Sequence, residues 1–340
     1  MNGLQRIKAA LAGEWPDRRP VMLHNFMMAA REAGISMHTF RSSPEALAKA
    51  FIQSVEKYGY DGILMDVDTA TLADAAGVPV AYPEDEPAIV HGRRLVTLEE
   101  VADLEPANVV GCQRVQLWVE GVRLLRRAVG DEIYIRGNCD QAPFTLAAMM
   151  RGMEDFLMDL MDPQAEERVM QLLDHAFETG AAFLRLMATA GAHMLSNGDS
   201  TGGASLISPR LHRRFAHPYE KRMAEVAHRL GLPWALHVCG NANPILGDLV
   251  ATGADALDLD YKTDACKARD ALAGRTVFIG NLDPSNVVAR GSASDVEKAA
   301  RDLICIFADS PRFILNAGCA IPADTPPENI RAMMRAAATC

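Results

Sequence analysis

The stretch "LHVCGNANPIL" (236–246) carries two side chains that bind metals, His237 and Cys239, with one residue between them. On a strand, residues two apart point to the same face, so this pair shares a face and Leu236 and Val238 take the other. Two readings compete. Histidine and cysteine both occur in cores, and a buried histidine beside a buried thiol needs no chemistry. Both are also zinc ligands, and Cys319 in "FILNAGCAIPAD" (313–324) offers a third. One imidazole and two thiolates make a Cys2His set that leaves a tetrahedral zinc one open position, as catalytic zinc sites do. Thiolate and imidazole suit zinc, whereas calcium and magnesium want oxygen. Asp258 and Asp260 in "ALDLD" (256–260) lie close enough in the pattern for either to fill the fourth position, with Asp260 the possible fourth ligand until substrate displaces it.

These residues can meet only if the elements around them place them at one rim. Eight short apolar runs read as strands: "VMLHNF" (21–26), "DGILMDV" (61–67), "IYIRGN" (133–138), "HMLSNGD" (193–199), "WALHVCG" (234–240), "ALDLD" (256–260), "TVFIGN" (276–281) and "FILNAG" (313–318). Helical patterns fall between them. "SPEALAKAFIQSVEKYG" opens on Ser-Pro and closes on Gly, and "SPRLHRRFAHPYEKRMAEVAHRLG" does the same with Pro218 kinking or dividing it. Alternating strands and helices predict a parallel sheet, and eight strands predict an α/β fold of the (β/α)8 TIM-barrel type. An open doubly wound sheet is the alternative. One barrel is expected over 1–340, with a short N-terminal helical segment and a small hairpin or lid inserted near 80–100. Catalytic groups of such barrels stand at the C-terminal strand ends. Those ends carry His24, Asn25, Asp66, Asp68, Asn138, Asp199, His237, Cys239, Asp258, Asp260, Asn281, Asp283 and Cys319. A single strand-end Asp or Asn often just caps the next helix; a full ring of polar ends points to an enzyme.

The composition narrows the class. Of 340 residues, 49% are hydrophobic and 23% charged, an ordinary soluble balance, and the net charge of −10 argues against nucleic acid or anionic membrane as partner. The sequence has no apolar run of the roughly 18 residues that span a bilayer. The N-terminus lacks the pattern of a secretory signal, and seven scattered cysteines read as reduced thiols, so a cytoplasmic protein is expected. Cys139 is the best alternative ligand. Cys112 and Cys305 are expected in the core, Cys266 and Cys340 are incidental, and no chemistry is assigned to His175, His193, His212, His217 or His228.

With these residues in place, "ALHVCGN" followed by "LNAGCAIPADTPPENIRAM" resembles the zinc motif of methylcobamide:coenzyme M methyltransferases and related corrinoid-dependent methyltransferases, within the uroporphyrinogen decarboxylase superfamily. The segments beginning "GNCDQAPFTLAAMM" and "NGDSTGGASLISPRLHRRFAHPYEKRM" are similar to family segments too. "YGYDGILMDVDTATLADAAG" matches the region of the decarboxylase's catalytic aspartate, here Asp66. The resemblance implies the barrel and implies zinc at His237, Cys239 and Cys319. It departs where true decarboxylases carry "RQAGR": this chain reads "HNFMMAAREAG", with only Arg31 left of the cationic cluster.

The expected activity is therefore zinc-dependent methyl transfer between a cobalamin-type corrinoid, on a partner protein or free, and a small thiol or a methoxylated or methylated substrate, which includes ether O-demethylation. Asp66 and Asp199 are expected to orient substrate rather than bind metal, with His24, Asn25, Asn138 and Asn281 as substrate contacts. The methionines of "MLHNFMMAAREAGISMHTF" either line an apolar pocket or simply pack. Two other classes stay open: a metal-free decarboxylase or lyase using Asp66, and a non-catalytic barrel that holds a tetrapyrrole or corrinoid. Homodimerisation stays open as well.

Overall fold

A computed structural model describes residues 1–339; Cys340 lies outside the described residues. Ten strands form. They are β1 (Met22–Leu23), β2 (Gly62–Met65), β3 (Val80–Ala81), β4 (Ile89–Val90), β5 (Tyr134–Gln141), β6 (Met194–Gly198), β7 (Trp234–Val238), β8 (Ala256–Leu259), β9 (Val277–Leu282) and β10 (Phe313–Ala317). Eight of them make one parallel sheet in the order β1-β2-β5-β6-β7-β8-β9-β10. The sheet closes where Val21 bridges Leu315 and the Leu315 N–H donates to the Pro20 carbonyl. The result is a (β/α)8 barrel, and each of its eight strands falls within or against one of the eight apolar runs. β3 and β4 pair antiparallel as a separate two-stranded hairpin.

The strand period of two sorts the residues into layers. Met22, Leu64, Tyr134, Met194, Ala235, Ala256, Val277 and Ile314 fill the lumen, and Leu4, Ile7 and Ala10 of the helix Gly3–Ala12 close its lower end. The intervening residues, among them Ile63, Ile135, Leu236, Leu257 and Phe278, pack outward on the helices. The helix Pro44–Tyr58 begins where the Ser43 side chain accepts from the Ala46 N–H and ends at Gly59 with φ 71°. The helix over 209–229 is divided. Pro218 has no N–H to donate, and the turn before it, His212–Ala216, widens to π geometry. Among the described residues no helix is long and apolar enough to cross a membrane.

Candidate metal centre at the barrel mouth

β7 keeps Ala235 in the lumen, so His237, two residues on, rises on the same face at the C-terminal rim, and Cys239 follows it. Gly240 then turns the chain away at φ 79°. Cys319 reaches the same point from the opposite side of the chain. The segment after β10 lies directly on the one after β8: a Cβ at Gly318 would stand 2.3 Å from the Tyr261 nitrogen, and the Gly318 N–H donates to Leu282. Only glycine permits that approach, and it delivers Cys319 to the histidine.

The ligand atoms of His237, Cys239 and Cys319 lie within 4.8 Å of one another, and His237 Nε2 stands 3.3 Å from Cys239 Sγ. The other ring nitrogen, Nδ1, faces Asp258 Oδ1 at 3.7 Å. Asp258 Oδ2 accepts in turn from Arg136 Nη1 at 2.6 Å, with both side chains 2% exposed. A carboxylate behind the imidazole fixes the ring so that Nε2 presents toward the sulfurs. Neither sequence-derived role for Asp258 anticipated this one. Asp260 is committed elsewhere: Oδ2 accepts from the Gly240 N–H and Oδ1 from the Lys262 N–H, both at 2.9 Å, so it pins two rim loops together.

The electrostatics match a donor set. Burial alone favours the neutral ring, but the Asp258 carboxylate and Cys319 beside it outweigh burial and carry His237 up to about 10. The hydrogen bond from Cys319 lowers the Cys239 thiol below its ordinary value, and the same bond, with burial, raises Cys319 to about 12. One thiol thus donates to the other, and the protons sit where a cation would. Metal binding releases such protons. Ser200 also hydrogen-bonds Cys239. The donor types fit zinc, and Asp258 supplies the ring's support.

A second constellation stands at the ends of β1, β2 and β5. Asp66 Oδ2 is 2.7 Å from His24 Nε2, and Asp66 Oδ1 accepts from Asn138 Nδ2 and from the Val67 N–H, each at 2.9 Å. Three of the sequence-derived residues therefore meet. Others do not join them. Asn25 turns down to Ser54, and Asn281 donates to the carbonyls of Asp260 and Thr263. Asp199 is 1% exposed; Thr145 Oγ1 donates to its Oδ1 at 2.6 Å and the Gly202 N–H at 3.2 Å. Its other oxygen faces Glu220, and burial raises the Asp199 carboxyl to about 6. Asp68 and Asp283 do what strand-end aspartates commonly do, accepting from the N–H groups of Ala70 and Thr71 and of Ser285 and Asn286.

The remaining thiols separate from the centre. Cys139 follows the outward face of β5, is fully buried, and burial pushes its thiol well up. Cys112 packs partly against the core. Cys305, expected in the core, is exposed, because the buried stripe of the helix Ala293–Ile306 runs through Val296, Ala300, Leu303 and Ile304 and misses it. Of the methionines near the N-terminus, Met22, Met28 and Met37 are buried; Met27, Arg31, Ile35, Met37 and Ala323 line a cleft of about 470 Å³.

Comparison with known proteins converges on one family. The uroporphyrinogen decarboxylase (URO-D) family matches residues 2–340. The uroporphyrinogen decarboxylase of Syntrophotalea carbinolica is 32% identical over 294 residues, covering 84% of this chain and 82% of that protein. The methylcobamide:CoM methyltransferase MtaA of Methanosarcina barkeri is 24% identical over 337 residues, covering 97% and 96%. A solved methyltransferase structure from Methanosarcina mazei superposes with a TM-score of 0.90 at 24% identity, covering 99% of this chain and 98% of that one.

Proposed function

The chain belongs to the uroporphyrinogen decarboxylase (URO-D) family, and from that premise we propose that it is a zinc-dependent methyltransferase. The methyl group passes between a corrinoid carried by a partner protein and a small thiol or a methoxylated or methylated compound. One observation carries this reading: the ligand atoms of His237, Cys239 and Cys319 converge at the mouth, with Asp258 behind the imidazole. Overall identity does not choose the branch, since a decarboxylase relative stands at 32% and methyltransferase relatives near 24%. The decarboxylase reading has that identity in its favour. Against it stand the Cys2His set, for which a metal-free lyase has no use, and "HNF" where a polycarboxylate-binding enzyme needs cations.

His237, Cys239 and Cys319 would hold the zinc, which would supply the positive charge that keeps a substrate thiol deprotonated at neutral pH or polarises an ether oxygen. The chain's own part is positional. Asp258 holds the His237 ring, Gly318 and Gly240 bring the two cysteines to it, and the His24–Asp66–Asn138 group faces the mouth as the element that orients substrate. Asp66→Asn should leave sulfur-bound zinc unchanged and lower kcat/KM by about ten- to a hundredfold, the scale of one charge-assisted hydrogen bond of roughly 1.5–3 kcal/mol. Loss of zinc in that variant would place Asp66 at the metal instead.

The test joins metal content to turnover. Metal analysis with X-ray absorption should report close to one sulfur-ligated zinc per chain. Methyl transfer from methylcobalamin to a panel of thiols and tetrahydrofolate, and from methoxylated aromatics to reduced cobalamin, should identify a substrate. Release of CO2 from uroporphyrinogen without sulfur-bound metal is the outcome that selects the lyase.

A further inference from the structure

Behind the mouth, on the divided helix, three further ligand side chains converge. The ligand atoms of His212, His217 and Glu220 lie within 4.8 Å of one another. In a continuous α-helix residues five apart diverge by about 140°, so His212 and His217 would face different ways. The π turn changes this. The His217 N–H donates to the His212 carbonyl, five residues back, and the wider turn brings both rings to one side. Glu220, three residues after His217, shares the face of the following helix.

The hydrogen bonds fix which atoms point inward. His212 Nδ1 is 3.0 Å from the Gly202 carbonyl, and a carbonyl only accepts, so Nδ1 carries the proton. With the proton on Nδ1, Nε2 of the neutral ring carries a lone pair and stands 3.6 Å from Glu220 Oε2. His217 hydrogen-bonds the main chain of Asp248. Among the described residues no donor reaches His212 Nε2 or His217 Nδ1, and the buried Glu220 carboxyl meets only Asp199. His212 is wholly buried and Glu220 1% exposed. A proton on Glu220 would satisfy one facing acceptor, such as Asp199, and leave the two imidazole lone pairs unmet. A dication meets all three ligands at once. An imidazole whose far N–H is held by a carbonyl is the arrangement that metal-binding histidines adopt.

We propose that His212, His217 and Glu220 form a second metal site, for a divalent first-row transition ion with zinc foremost, ligated by two imidazoles and one carboxylate without sulfur. The half-buried His217 gives the entry side. Through Gly202 and Asp199 the site braces the loop that sets Ser200 beside Cys239. The inference stands apart from the methyl-transfer reading, since none of its ligands belongs to the Cys2His set.

Chelator-stripped protein titrated with Co2+ tests it. Wild type should take up an equivalent with d–d absorption and no sulfur-to-cobalt charge transfer, besides the one at the Cys2His centre. Cys239→Ser/Cys319→Ser protein should retain only that sulfur-free equivalent, and X-ray absorption of its zinc form should show nitrogen and oxygen ligands alone. His217→Ala and Glu220→Gln, each added separately, should weaken this binding at least a hundredfold. Wild-type protein that binds no sulfur-free equivalent, or an equivalent that survives both substitutions, overturns the proposal: the cluster then holds only a proton. A failure of the Cys2His reading would appear separately, as absence of the charge-transfer band.

Discussion

Cys239→Ser is expected to lose sulfur-bound zinc and at least a thousandfold in methyl transfer, about 4 kcal/mol of transition-state stabilisation, while its thermal midpoint stays within a few degrees of wild type. The activity loss follows from the ligand chemistry. Serine offers a hard, protonated oxygen where the site presents a thiol already lowered by its neighbour Cys319. The small stability change follows from where the site sits. Cys239 lies past the end of β7, on a turn, and the lumen below is filled by Ala235, Val277, Ile314 and their neighbours, whose burial does not depend on any ligand at the rim. A change of 1 kcal/mol moves the midpoint by roughly 2–4 °C in chains of 150–250 residues and by less in longer ones. Calorimetry beside a metal assay checks both parts. If Cys239→Ser unfolds the protein, the centre is a staple. If it keeps full activity, the histidine and cysteine are rim packing.

The strands were legible because each is an apolar run bounded by turn residues, and the eight fall where the runs stand. The meeting of His237 with Cys239 was legible from the strand period, and the delivery of Cys319 from its place after the last strand. What the sequence could not distinguish was the work of neighbouring carboxylates on one strand. Asp258 stands on β8 and Asp260 one residue past its end, yet one lies beside the His237 ring and the other is consumed by two main-chain N–H groups, a difference set by loop geometry. Arg136 shows the same limit. It sits mid-strand in a run that reads as apolar, and only the closed barrel reveals that it meets Asp258 across the lumen. His212 and His217 fall on a helical pattern and drew no assignment, and residues five apart on an α-helix do not share a face. Pro218 was read as a kink, which is correct in position, but a kink does not announce the π turn that aligns the two rings.

Asp258→Asn should be the most destabilising single change at the rim, by about 3–5 kcal/mol, because it strands a buried guanidinium rather than because it deletes a contact. Burial alone would raise the Asp258 carboxyl; Arg136 first and then His237 outweigh it and hold it well below the usual carboxylate range. A depressed folded pKa contributes stability above the unfolded value of about 3.9, which is lost as pH falls toward the folded one, so the penalty should be fully present at neutral pH. Replacing both partners, Arg136→Met with Asp258→Leu, removes the stranded charge and should recover most of the loss, since a well-packed apolar pair often equals a buried ion pair. Zinc should not recover with it. The His237 ring would then lack the carboxylate behind Nδ1, and removing such support lowers metal affinity by roughly 10–100-fold. Denaturant unfolding and zinc titration of the three variants separate the two roles. A double variant that regains zinc affinity along with stability would mean that Asp258 acts on the metal centre only by keeping Arg136 in place.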